Sequence, residues 1–160
     1  MAIEIGDKLP EATLTAATSD GPQARTTDEI FAGKKVVLFA VPGAFTPLCS
    51  ARHLPGYIQS AKEIKARGVD TIVCLAVNDA FVMGAWGEAQ NAGEQVLMAA
   101  DGSAEFTKAL GLDFDASKFG MGVRAQRFAA IIDDGVVTTL NVEAPMKFEV
   151  SDAETILAAL

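Results

Sequence analysis

The sequence predicts an α/β domain built on a mixed β-sheet, and three features carry that prediction. Short apolar runs rich in β-branched residues alternate with segments of helical periodicity, which implies right-handed parallel crossovers. Asp134-Gly135, set between two apolar runs, is a two-residue hairpin signal that adds an antiparallel pair. Val41 to Ser50 joins a buried run to a helix start through Pro42, Gly43 and Pro47, and the rest of the chain is organised around this step.

In chain order, Leu9 to Ser19 mixes polar and apolar residues and reads as an edge strand, closed by a turn at Asp20-Gly21-Pro22. Thr26-Thr27-Asp28-Glu29 is a capping box for a short helix that stops at Gly33. Lys35 to Ala40 is a buried strand. After it, Thr46 stands as N-cap, Pro47 at N1 and Cys49 at N3 of a helix whose Leu54, Ile58, Ala61 and Ile64 form one apolar face. Pro55 has no N–H for the Ala51 carbonyl, so a kink is expected early in that helix.

Val69 to Val77 is a second buried strand. Asn78-Asp79 caps a helix reaching about Asn91, with Phe81, Ala85, Trp86 and Ala89 as its apolar face. Gln95 to Ala99 gives a third strand, Ser103 to Leu110 a helix stopped by Gly111, and Leu112 to Val123 an irregular loop. Phe128 to Asp133 and Val136 to Val142 are the hairpin strands. Ser151-Asp152-Ala153-Glu154 is a second capping box, opening a last helix with Ile156, Leu157 and Leu160 inward.

No repeat, linker or low-complexity segment divides the 160 residues, so the chain reads as one domain over 1–160. A net charge of −8 argues against nucleic acid or an anionic membrane surface as partner. No apolar run is long enough to span a bilayer, and the N-terminus has no basic region followed by an apolar stretch, so neither a membrane span nor a signal peptide is expected. Two cysteines, without a CxxC pair or a histidine cluster, make neither a disulfide framework nor a zinc site, and the cytoplasm is the compartment expected by default. With no metal, haem, flavin or nucleotide motif in the sequence, no cofactor is expected and the chemistry falls to a protein thiol.

Cys49 is the candidate nucleophile. At N3 its sulfur faces unpaired backbone N–H groups and the positive end of the helix dipole, which favour thiolate over thiol. A lone cysteine is by default an inert apolar residue; the capped strand–loop–helix step argues otherwise. Arg127, always charged and carrying fixed donors, supplies a cation that would favour the thiolate further, though alone it reads as a solvated strand end. Thr46 is explained by capping and Pro42 by strand termination, while N–H groups of the 43–49 loop could hold a developing negative oxygen. His53, the single histidine, lies at i+4 from Cys49, which makes a Cys-His hydrolase pair conceivable. Nothing in the sequence orients it, and a packing or hydrogen-bonding role is favoured. Cys74 sits mid-strand in an apolar run and reads as a core residue.

Pro42-Gly43-Ala44-Phe45-Thr46-Pro47-Leu48-Cys49-Ser50 resembles the peroxidatic motif of peroxiredoxins, in the form used by the type-5 (plant type II) subfamily. His53 to Tyr57, Val77 to Val82 and Arg124 to Phe128 are similar to further subfamily segments in their usual order, so the resemblance spans essentially the whole chain. It implies a thioredoxin-like fold, where the alternation of elements alone leaves a flavodoxin-like order open. It also implies a thiol peroxidase that reduces hydrogen peroxide and alkyl hydroperoxides through Cys49. In that scheme the Thr46 hydroxyl orients the peroxide, Arg127 contacts sulfur and peroxide, Pro42 shields the sulfur from water, and Arg124 is a salt-bridge partner nearby. The implied reductant is glutathione with glutaredoxin, or thioredoxin. The implied assembly is a homodimer whose contact lies beside the site, near Phe45, Phe81, Trp86 and Phe119.

Type-5 members place a second cysteine at the position of Cys74 or near the C-terminus, where this chain has Ser151. Either Cys74 attacks the oxidised Cys49 after local rearrangement, or an external thiol does so directly. Two rival readings remain: a peroxide sensor or redox-regulated binding module that does not turn over, and a hydrolase whose ester turnover depends on His53.

Overall fold

The computed structural model describes residues 1–160. In chain order the elements are β1 (Thr13–Thr18), β2 (Gly21–Thr26), α1 (Thr27–Phe31), β3 (Lys35–Ala40), a π turn (Cys49–His53), α2 (Leu54–Ala66), β4 (Thr71–Ala76), α3 (Ala80–Ala89), β5 (Leu97–Ala100), α4 (Glu105–Leu110), β6 (Asp113–Asp115), β7 (Val123–Ala125), β8 (Phe128–Asp133), β9 (Val136–Val142) and α5 (Ala153–Ala159). Seven strands form one sheet in the order β2-β1-β5-β4-β3-β8-β9. β3, β4 and β5 run parallel, joined by α2 and α3 as crossovers; β8 and β9 continue the sheet antiparallel. The Asp134-Gly135 turn has φ of +49° and +80°, the left-handed pair that a two-residue hairpin requires and glycine accepts without strain.

The central strands are buried on both faces. Val37, Phe39, Ile72 and Cys74 point toward α2, α3 and α5, whereas Val36, Leu38, Val73 and Leu75 point toward α1 and α4. α2 contributes Leu54, Tyr57, Ala61 and Ile64, and each large aliphatic buried this way is worth about 1.5–3 kcal/mol. The face bearing Cys74 therefore also carries the helix that follows Cys49.

The structure departs from the sequence reading at several points. β1 is not an edge strand: it lies between β5 and β2, and β2 (Gly-Pro-Gln-Ala-Arg-Thr) forms the edge. Its polar sequence and Pro22 conceal a strand that only an edge position tolerates. The capping box at Thr26 and Glu29 forms with both reciprocal bonds. The stretch 112–123 is not irregular throughout, because β6 and β7 pair as a small separate sheet around the 3-10 turn Ser117–Phe119. Three-residue strands leave no readable period. On α3 the buried residues are Ala80, Met83, Trp86 and Gly87, while Phe81, Ala85 and Ala89 face outward. That helix is apolar nearly all round, so periodicity could not choose its inner face.

The expected kink before Pro55 takes a specific form. The N–H of Leu54 donates to the Cys49 carbonyl, five residues back, so the turn carrying Cys49 is a π turn with one residue more than an α turn. Pro55, without an N–H, follows at once. The second capping box does not form: Asp152 is the N-cap of α5 and makes no side-chain cap bond, and the Ser151 hydroxyl is engaged elsewhere.

Candidate active site

The site lies where the loop after β3, the π turn and the start of β8 meet. Ser50 N–H donates to the Thr46 carbonyl at 3.0 Å, which opens the helix behind Thr46. The Thr46 hydroxyl is not a cap here; it donates to the Gly43 carbonyl at 2.7 Å and leaves its oxygen lone pairs free to accept. Cys49 and Leu48 N–H make no backbone hydrogen bond. Phe45 holds φ of +63°, a strained conformation for a side chain of its size. The loop is fastened on both sides, by the Ala44 N–H donating to Asn78 Oδ1 at 2.9 Å and by the Trp86 indole N–H donating to Ser50 Oγ at 2.9 Å.

Cys49 is fully buried. Its sulfur accepts from Arg127 Nη2 at 3.0 Å. Arg127 Nη1 lies 2.8 Å from His53 Nδ1, and His53 Nε2 lies 3.0 Å from the Ser151 carbonyl. Arg127 can only donate, so Nδ1 accepts and the proton of a neutral His53 sits on Nε2, donated to Ser151. Tyr57 Oη donates to the same carbonyl at 2.7 Å and stacks on Phe39, ring centroids 4.0 Å apart. Phe148 packs edge-on against His53 at 4.9 Å, with the guanidinium groups of Arg52 and Arg127 over its ring at 5.0 and 5.9 Å.

Pro42 closes β3 and its carbonyl accepts from Arg124 Nη1 at 3.4 Å, while Arg124 Nε donates to the Met121 carbonyl at 2.9 Å. Both partners are carbonyls, so Arg124 braces the loop rather than forming the expected salt bridge. A Cβ on Gly43 would stand 3.1 Å from Arg124 Nη1 and 3.2 Å from Thr46 Cγ2, and the close approach of these two side chains is what calls for glycine there.

Burial, reinforced by the Arg127 charge, lowers the His53 pKa from 6.5 to about 3. Cys74 lies wholly inside the sheet, where burial and then the neighbouring Cys49 push its thiol well above the ordinary cysteine value. It is a neutral core thiol.

A family model described as Redoxin matches residues 4–157. Peroxiredoxin-2E-2, chloroplastic, of Oryza sativa subsp. japonica is 52% identical over 163 residues, which cover 99% of this chain and 72% of that protein. Peroxiredoxin-2B of Arabidopsis thaliana is 48% identical over 159 residues, 99% of this chain and 98% of that protein. The chain belongs to the peroxiredoxin family. Among solved structures, reduced Prx3 of Vibrio vulnificus in complex with hydrogen peroxide is similar with a TM-score of 0.94 and 66% identity, covering 98% of both chains. This peroxiredoxin therefore has the thioredoxin-like fold and is a thiol-dependent peroxidase of the oxidoreductase class.

Of the residues singled out in the sequence, the structure gathers Cys49, Arg127, Thr46 and Pro42 around one loop and brings His53 into direct contact with Arg127. Asn78, read only as part of a helix cap, turns out to tie the Cys49 loop to β4. Glu143, Ser151 and Phe148 were invisible as site residues, because their contacts depend on how the segment after β9 folds back.

The buried, neutral His53 makes stability acid-sensitive. Its folded pKa lies below the unfolded value, so the unfolded chain binds the extra proton between pH 6.5 and about 3, and stability falls as pH drops through that window. Between pH 7 and pH 5 the loss from this group is about 2 kcal/mol. Denaturant unfolding at the two pH values should show that loss in the wild-type protein and not in His53→Gln; equal pH dependence in both would refute it.

Proposed function

We propose that this peroxiredoxin reduces hydrogen peroxide and alkyl hydroperoxides through a Cys49 thiolate, in the cytoplasm, as a homodimer, with glutathione and glutaredoxin as reductant. The observation that carries the assignment is the Arg127 fork, with one arm on the Cys49 sulfur and the other held by His53. A fixed cation donating to sulfur favours the thiolate over the thiol.

The thiolate attacks the outer oxygen of the peroxide. An S–O bond forms, the O–O bond breaks with its electron pair on the leaving oxygen, and that oxygen takes a proton to leave as water or alcohol. Sulfur is oxidised by two electrons to the sulfenic acid, and the peroxide is reduced by two. The Thr46 oxygen can accept the peroxide O–H and so orient it. Arg127 and the free N–H groups of Leu48 and Cys49 are available to the charge that develops on the departing oxygen. Pro42 keeps water from the sulfur, which strengthens these interactions.

An external thiol then condenses with the sulfenic acid, releasing water and giving a mixed disulfide, and a second thiol frees Cys49. Cys74 is a poor candidate for the first of these thiols. It stands in register with Phe39 in the middle of the sheet, and burial holds it protonated. Bonding it to Cys49 would require the π turn to unwind and the core to open. After one equivalent of peroxide, mass spectrometry should find Cys49 as sulfenic acid or glutathione adduct, and Cys74→Ser should retain most turnover with glutathione and glutaredoxin. A stoichiometric Cys49–Cys74 disulfide, with turnover lost in Cys74→Ser, would overturn the external-thiol cycle. Running thioredoxin alongside identifies the reductant. The sensor reading predicts a single oxidation without turnover under either.

The dimer rests on exposed apolar surface beside the site: Phe45 is 56% exposed, Phe81 76% and Phe119 63%. Phe45→Asp should shift the protein toward monomer in sedimentation, and a wild-type protein monomeric at micromolar concentration would overturn it. The cytoplasmic placement rests on two unpaired cysteines, which suit a reducing compartment, and cell fractionation tests it. The hydrolase reading loses its support, because His53 Nδ1 faces Arg127 rather than the sulfur.

A further inference from the structure

Glu143 stands at the end of β9, opposite Arg127 at the start of β8, and its N–H donates to the Arg127 carbonyl at 2.9 Å. Its side chain turns to the segment that follows. The carboxylate accepts from the N–H of Glu149, Val150 and Ser151 at 2.8–2.9 Å and from Ser151 Oγ at 2.7 Å. This closes the loop 144–148 and holds Ser151 by both its N–H and its hydroxyl. The carbonyl of the same residue receives His53 Nε2 and Tyr57 Oη. His53 in turn holds Arg127 Nη1, and Arg127 Nη2 reaches the Cys49 sulfur. The chain of contacts is a ring that leaves the Arg127 backbone and returns to its guanidinium. The closed loop also delivers Phe148 to the other side of that guanidinium.

We propose that Glu143 is a positioning residue for the peroxidase reaction, setting the Arg127 guanidinium on Cys49 through the Ser151 carbonyl and His53. The inference rests on Cys49 and Arg127 carrying the chemistry. A carboxylate suits the position because two acceptor oxygens meet four donors and nothing else. An amide offers one oxygen, and its own N–H groups would confront the donors of the loop. With the loop released, the Ser151 carbonyl is free to turn, the reason for His53 to keep its proton on Nε2 disappears, and with it the fixed acceptor at Nδ1. An Arg127 without that acceptor samples rotamers in which neither arm is on the sulfur. A ligating or donating group oriented from behind in this way is a recurring design in reactive sites.

The test compares Glu143→Gln with Glu149→Gln, the same exchange on an exposed side chain of the same segment, which leaves the backbone donor of residue 149 in place. Glu143→Gln should slow the second-order reaction with hydrogen peroxide about tenfold and move its rate–pH profile about one unit to higher pH. Its His53 ring nitrogens should lose the pattern of a pure Nε2–H tautomer in ¹⁵N spectra. Glu149→Gln should stay near wild type in all three readouts. A Glu143→Gln protein that is less heat-stable but unchanged in rate, pH profile and His53 tautomer would make Glu143 purely structural and overturn the proposal. If that variant does not fold, the wild-type spectrum decides: an Nε2–H tautomer supports the ring, and an Nδ1–H tautomer refutes it. Arg127→Met, which removes both the charge and the fork, separates the two levels. No rate loss there ends the assignment of Arg127, whereas a loss there with none in Glu143→Gln ends only the role of Glu143.

Discussion

Cys49→Ser should abolish peroxide turnover, with the rate falling by several orders of magnitude to that of the uncatalysed reaction. A serine hydroxyl near neutral pH is almost wholly protonated and has no base to activate it here, since His53 Nδ1 is already occupied by Arg127. The fold should survive the exchange. The side chain is fully buried, but the new oxygen would stand where Arg127 Nη2 already donates, so the buried polar atom keeps a partner and the cost stays near the low end of about 1–3 kcal/mol. Stopped-flow peroxide consumption with a circular-dichroism melt checks both halves. Wild-type-like rates in a folded Cys49→Ser protein would remove the sulfur from the mechanism, and with it the roles given to Arg127 and Glu143.

How much of this could be read from the chain depends on the range over which each feature is determined. The capping box at Thr26, the Asp134-Gly135 hairpin and the buried runs of β3 and β4 are local, and their residues determine them within one turn or one strand. The same holds for the Pro-bracketed step before Cys49. Features that depend on distant partners were misread. Ser151 has a good cap sequence, yet a carboxylate eight residues earlier competes for it, and the competition is decided by the path of loop 144–148. Arg124 carries a charge that sequence pairs with an acid, whereas the structure spends its donors on the carbonyls of Met121 and Pro42. The outer face of α3 shows a further limit: Phe81, Ala85 and Ala89 satisfy helical periodicity as well as the buried residues do, and only the position of the sheet distinguishes them.

Arg127→Lys should lower the second-order rate with peroxide by roughly 10- to 100-fold, the equivalent of losing one charge-assisted hydrogen bond of about 1.5–3 kcal/mol. The substitution keeps the charge and removes the fork. A guanidinium serves the Cys49 sulfur and His53 with two different nitrogens, at 3.0 and 2.8 Å; one ammonium on a shorter reach cannot occupy both positions. Whichever contact is lost, the other partner is harmed, because a buried His53 Nδ1 without a donor costs about 1–3 kcal/mol and a thiolate without its cation reverts toward thiol. Arg127→Met separates charge from geometry. Burial is the larger cause of the low His53 pKa and the Arg127 charge the second, so Lys should leave His53 near its value of about 3 while Met lets it rise part of the way toward 6.5. The His53 ring signals followed against pH distinguish these outcomes. The rate should fall in both variants, further in Met. A rate unchanged in Lys but lost in Met would mean that charge alone suffices and that the two-nitrogen geometry, and the residues that hold it, are dispensable.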